Sequence, residues 1–262
     1  MSGDEGNLDD SPLSGENPQD SVPFDMAAAL TLLDSGEITE QHGLIRNSSN
    51  YTFLITITSG ETSALSVYKP RRGERPLWDF PDGTLANRER AAFLTSEALG
   101  WQAVPPTVLR DGPHGIGSIQ YFIEHDPNEN YFTFGERVQA QLRRVVIFDC
   151  ITNNADRKGG HLLLGAGDRV WCIDNGLTFN QVNKLRTVVW DFQGEAISPR
   201  LLSDLRLLRD RLCDENDPYR KAMDDLLDIG EVLSFQHRIE RVLKSGRYPR
   251  PGSGSNYPWP PV

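Results

Sequence analysis

DCITNNADRKGGH, residues 149–161, with CIDNG following at 172–176, is the part of the chain on which the fold turns. Asp149, Asn154, Asp156, Arg157, His161 and Asp174 crowd polar, metal-capable groups between apolar elements there. Just before it, Val138, Leu142 and Val145 recur at helical spacing and Asp149 falls on the same face, so a helix runs into the loop. Thr133 is expected to cap that helix, with Glu136 three residues on. Just after it, HLLLG (161–165) and RVWCID (169–174) flank a turn at 166–168 and read as two short strands. A carboxylate in a loop between a helix and a hairpin can orient a hydroxyl and receive its proton; a second, just after a buried strand, can hold a metal on phosphate oxygens. Asp156 and Asp174 fit these roles. Taken singly, each also fits a solvated loop with Asx turns at Asn153 and Asn154, or an Asp closing a strand. Asp149 is costly to bury unpaired, so it is expected to brace the loop through Arg157 or a backbone amide.

Upstream, PFDMAAALTLLD (23–34) has helical apolar spacing and stops at Ser35 and Gly36. Runs at 38–46, 51–58 and 63–69 are rich in Ile, Thr, Val and Tyr, and RNSSN and SGE separate them as turns of an antiparallel meander. Alternation along ALSVYK puts Leu65, Val67 and Lys69 on one face, where the ammonium wants an anion or snorkels at the strand end. Glu89, on the apolar stripe of a helix from Leu85 to Leu99, is the natural partner. VPPTVLR and IGSIQYFIE read as two more strands around DGPHG, and a boundary falls near 125–131. In GLIRNSSNYTFLI, the small residues around Ser48 and Ser49 form a hairpin turn whose amides and hydroxyls could lie against phosphate oxygens. Residues 200–244 read as helical, and YPRPGSGSNYPWPPV as extended, either free or laid along the surface.

Composition excludes several classes. The net charge is −10, and residues 1–22 carry six acidic side chains with no Lys or Arg, which leaves no basic block for nucleic acid or anionic lipid. That segment, almost devoid of large apolar groups, reads as a disordered acidic tail. Cys150, Cys172 and Cys213 form neither a CxxC pair nor a secreted framework, which points to a reducing cytoplasm. No run approaches the roughly 18 to 20 apolar residues that cross a bilayer, so no membrane insertion is expected.

In this order, a small-residue hairpin, VYKP, a helix carrying Glu89, GSIQYFIE, NADR and IDNG, the chain resembles the phosphatidylinositol 3/4-kinase-related superfamily. The type II phosphatidylinositol 4-kinase-like branch is its nearest match there. Uncharacterised actinobacterial kinase-like proteins are similar over nearly all of residues 26–262, and HipA-type bacterial kinases share the outline more distantly. The resemblance implies an α+β, bilobal protein-kinase-like fold, with a small N-lobe of antiparallel sheet plus helix (23–125), a mainly helical C-lobe (126–246) and a Pro-rich tail (247–262). It further implies ATP in the cleft. Lys69 would bind the α- and β-phosphates, braced by Glu89; Ser48 and Ser49 would cover them; Phe122, Ile123 and Glu124 would form the hinge to adenine. Asp156 matches the catalytic-loop aspartate, and Asp174 the metal-binding aspartate of the motif usually written DFG, here DNG.

Two positions depart from the pattern. His161 stands where the family usually has a metal-binding Asn, and an imidazole favours Mn²⁺, Zn²⁺ or Fe²⁺ over Mg²⁺. Asn153 stands where type II lipid kinases place a basic residue. The function expected is an ATP-dependent phosphotransferase using Mg²⁺ or Mn²⁺, acting on a protein, itself included, or on a small-molecule hydroxyl. Ser48, Ser49, Ser11, Ser14 and Ser21 are candidate sites for self-modification. The alternatives are a lipid kinase, which Lys184 and Arg186 with Asp191 and Glu195 nearby serve poorly; a nucleotide-binding pseudokinase acting as an interaction module; and adenylyl transfer.

Overall fold

The computed structural model describes residues 24–45 and 50–262. The expected 1–22 tail and the hairpin serines Ser48 and Ser49 lie outside these residues. Helix α1 (Met26–Ser35) is capped by the Asp25 carboxylate, which accepts the Ala28 amide at 2.9 Å. Strands β1 (Glu37–Leu44), β2 (Phe53–Ser59), β3 (Thr62–Pro70), β4 (Thr107–Gly112) and β5 (Gly115–Tyr121) form one antiparallel sheet in the order β1-β2-β3-β5-β4. Alternation sets its inner face, where Phe53, Ile55, Ile57, Tyr68, Val108 and Ile119 pack on Leu32 and Leu33 of α1. Each such fully buried aliphatic side chain contributes about 1.5–3 kcal/mol. β3 therefore points Ser66 and Tyr68 into this core and turns Val67 and Lys69 toward the opposite side, with Leu65 left part-exposed at the far end.

Helix α2 (Leu85–Ala98) connects the sheet to the rest of the chain. Its first turn is capped from outside, because Glu74 accepts the Leu85 and Ala86 amides at 3.2 and 3.0 Å. Further along, buried Arg88 donates to the Thr178 carbonyl at 2.7 Å and pairs with Glu231 at 2.5 Å.

The second half is mainly helical: α3 (Gln139–Thr152), the hairpin β6 (Leu162–Gly165) and β7 (Arg169–Cys172), then α4 (Pro199–Cys213), α5 (Pro218–Leu226) and α6 (Ile229–Ser245). The last three begin on Ser198, Asp217 and Asp228, each accepting an amide of its own first turn, and Pro199 and Pro218 occupy first-turn positions. The expected Thr133 cap does not form. A tight turn at Gly135–Val138 intervenes before α3, and the Thr133 hydroxyl instead accepts the Asn130 amide at 2.9 Å. The architecture is α+β and bilobal, sheet and α2 on one side and helices on the other. No described helix is long and apolar enough to cross a membrane.

Candidate active site

Lys69 sits in the middle of the sheet, its strand paired with β2 on one side and opposite Ser118 of β5 on the other. Its Nζ lies 2.6 Å from Glu89 Oε1 and 2.8 Å from Asp174 Oδ1. Burial works against the ammonium, but Asp174 and Glu89 together outweigh it and hold its pKa above the usual lysine value. Glu89, only 3% exposed, spends its second oxygen on the Asn175 amide at 3.0 Å, so α2 grips the DNG turn as well as the lysine. Lys69 in turn holds the Asp174 carboxyl well below the usual carboxylate range. Asp174 adopts φ +55°, a left-handed conformation unusual for a non-glycine residue and found where surrounding contacts enforce it.

The Asp156 loop is built on a fully buried ion pair. Arg157 meets Asp149 at 3.0 Å, donates to the Ile173 carbonyl at 2.6 Å and to Asn175 Oδ1 at 2.6 Å. One guanidinium thus ties the end of α3, the loop and the DNG turn together, and Asp149 braces rather than reacts. Asp156 remains accessible, its amide donating to Asn154 Oδ1 at 2.9 Å and its carboxylate 3.2 Å from Lys158 Nζ. Burial raises the Asp156 pKa, with Lys158 the largest opposing influence.

His161 turns into the same space. Its Nδ1 lies 2.9 Å from the Asp156 carbonyl, an acceptor only, so that nitrogen carries the proton and the longer 3.5 Å approach from the Lys158 amide is not a bond to it. Nε2, left with its lone pair, faces Asp174 Oδ2 at 3.3 Å. Burial pushes the imidazole pKa down to about 4, so at neutral pH two lone pairs confront each other.

Lys69, Thr52, His161 and Asp174 line two adjoining compartments. One is polar and holds Asp156, Lys158 and Glu89; the other, about 320 Å³, is walled by Val67, Gln120, Phe122, Ile123, Leu163 and Ile173. That volume suits a drug-sized ligand. The Phe122 amide is used within the sheet, donating to Leu65 O at 3.0 Å, and the Ile123 carbonyl accepts His125 Nδ1 at 2.8 Å. The Ile123 amide has no partner among the described residues. Glu124 lies apart, exposed in a separate depression beside Phe24 and Arg169.

Three residues have roles beyond their reading in the sequence. Lys158, visible in NADRK, extends its long side chain to the carboxylate of Asp156 two residues back. Glu74 lies eleven residues before the helix it caps, beyond any capping-box spacing. Asn153, at φ +57° and fully buried, binds the Asn180 and Val182 carbonyls at 2.9 and 2.7 Å and accepts the Lys184 amide at 2.8 Å. Where a basic residue was looked for, it pins the segment after DNG.

No family model matches the chain. Protein Rv2133c of Mycobacterium tuberculosis (strain ATCC 25618 / H37Rv) is 38% identical over 264 residues, covering 87% of this chain and 94% of that protein. The chain belongs to the Rv2133c family. Among solved structures, a hydra Fam20 protein with sugar matches this family member with a TM-score of 0.54 at 16% identity, over 86% of this chain and 90% of that one. The Golgi casein kinase with Mn and ADP bound matches with a TM-score of 0.52 at 15% identity, over 90% and 80%. The fold of this Rv2133c relative is thus kinase-like, and the lysine, glutamate and two aspartates lie in the cleft between its halves.

Proposed function

We propose that this chain is an ATP-dependent phosphotransferase. The observation that carries this is Lys69 held between Glu89 and Asp174 in one cleft with Asp156. On this reading adenine enters the apolar compartment against Phe122 and Ile123, while Lys69 meets the α- and β-phosphates. Asp156 orients an acceptor hydroxyl and takes its proton as the oxygen attacks the γ-phosphorus; the bond to the bridging oxygen breaks and ADP leaves with the electron pair. Lys158, beside Asp156, offsets charge on the transferring group. The placement in the phosphatidylinositol 3/4-kinase-related superfamily rests on VYKP, NADR and IDNG. The division into lobes at 23–125 and 126–246 rests on the charge and Asn/Pro content near 125–131, the tail at 247–262 on its prolines, and a cytoplasmic setting on the three free thiols.

His161 and Asp174 would hold a divalent cation. Their facing lone pairs, 3.3 Å apart, fit one, and two protein ligands suit an ion that takes its remaining oxygens from phosphate and water. Such an ion neutralises charge on the phosphate oxygens. The imidazole ligand favours Mn²⁺ over Mg²⁺. His161→Asn is expected to move the Mn²⁺-to-Mg²⁺ turnover ratio toward Mg²⁺; equal rates in both metals, unchanged by the substitution, would remove His161 from the metal site.

The acceptor is proposed to be a protein, the chain itself included, or a small-molecule hydroxyl. A lipid headgroup is disfavoured because Lys184, a cation of the segment after DNG, is already paired with Asp79 at 2.8 Å. Incubation with γ-labelled ATP should label an acceptor and lose the label in Asp156→Ala. Nucleotide binding without transfer would indicate a pseudokinase, and incorporation from α-labelled ATP would indicate adenylyl transfer.

A further inference from the structure

The Pro-rich tail lies along the surface and finishes on the Asp156 loop. The Pro261 carbonyl accepts the Gly159 amide at 2.8 Å, three residues after Asp156 and two before His161. Gly159 is buried, its own carbonyl accepts the Tyr131 amide at 3.3 Å, and an added Cβ would come within 2.7 Å of the Phe132 ring. The loop backbone is therefore clamped on both sides.

A second contact lies upstream. The Asn256 carbonyl accepts both the Thr187 amide at 3.1 Å and the Trp190 indole N–H at 3.2 Å. Its side chain closes the preceding turn, accepting the Gly252 amide and donating to the Gly252 and Gly254 carbonyls, all at 2.8 Å. Thr187 passes the connection inward, its hydroxyl donating to Asp149 at 3.3 Å, and Asp149 holds Arg157. Pro258, between the two contacts, is buried. A buried amide that loses its acceptor must find another or expose itself to water, so the loop conformation and tail docking are coupled.

We propose that residues 256–261 are a positioning segment for the Asp156 loop, setting the placement of Asp156 and Lys158 from behind; this rests on the phosphotransferase reading above. The tail touches neither Lys69 nor Glu89, so it acts on the transfer step and leaves nucleotide binding alone.

Two variants test this: one ending at Pro260, which removes Pro261, the acceptor of the Gly159 amide, together with the exposed Val262, and Asn256→Ala in the full chain, which loosens the turn presenting the other acceptor. Amide exchange of residues 156–161 should quicken about tenfold or more in both while the β2–β3 amides keep their protection. With ATP and Mn²⁺, kcat should fall about tenfold with KM for ATP within about twofold, the split expected when only the transfer step suffers. Unchanged loop exchange would overturn the proposal, as would faster exchange throughout the sheet, which would make the tail a general stabiliser. If the loop alone loosens but the unaltered chain transfers no phosphate, the coupling stands and the phosphotransferase reading falls.

Discussion

Lys158 shows how one side chain is tuned by its neighbours. Burial raises the Asp156 pKa and the nearby ammonium is the largest influence lowering it. A base works as the carboxylate, so activity is lost as pH falls through its pKa. Removing the cation lifts that pKa, and Lys158→Ala should move the acid limb of the kcat profile to higher pH, besides lowering the plateau. An acid limb that stays in place would mean that Asp156 is not the group titrating. The partnership of Lys69 and Glu89 was legible in the sequence because strand alternation and helical spacing each put a charge on an apolar face, and a buried charge needs its opposite. Lys158 carried no such signal: it lies two residues after Asp156 in a loop, where spacing does not say whether a long side chain turns to the carboxylate or to water.

Among the elements, α3 and its exit carry the clearest wager. Asn153 combines a left-handed backbone with three side-chain hydrogen bonds to residues 180–184. Asn153→Gly keeps the conformation and loses the bonds, and should cost about 3 kcal/mol in urea unfolding, at about 1 kcal/mol per bond. Asn153→Ala adds the penalty of a Cβ in that region, about 1–2 kcal/mol more. Equal losses in the two variants would deny the backbone its part. The stretch read only as helical over 200–244 divides into three helices, each directly preceded by its cap, Ser198, Asp217 or Asp228. Helix starts were misread or missed where the cap is not local: Thr133 has capping spacing but serves a turn, and Glu74 caps α2 from a distant loop.

The molecule as a unit joins its halves through α2, with Arg88 and Glu231 as a buried cross-link and Glu89 linking sheet to DNG turn. Ligand in the cleft should stabilise both halves together. ATP with Mn²⁺ at about 100 times Kd adds about 2.7 kcal/mol, a rise in Tm on the order of 5 °C for a chain of this size. Lys69→Ala should abolish most of that shift; a shift of undiminished size would place the nucleotide elsewhere. This chain thus presents a kinase-like frame whose loop is secured from three directions, by Arg157, by Asn153 and by the tail.

By itself the sequence determined most of the order of elements, through local period, and the meeting of Lys69 with Glu89, through the cost of a buried charge; Asp156 and Asp174 were singled out by the family resemblance of NADR and IDNG. Only the tertiary structure decided that Asn153 is a clasp and that the last prolines reach Gly159. Those are hydrogen bonds between segments brought together by packing of the core. Such bonds leave no periodic trace in the chain that makes them.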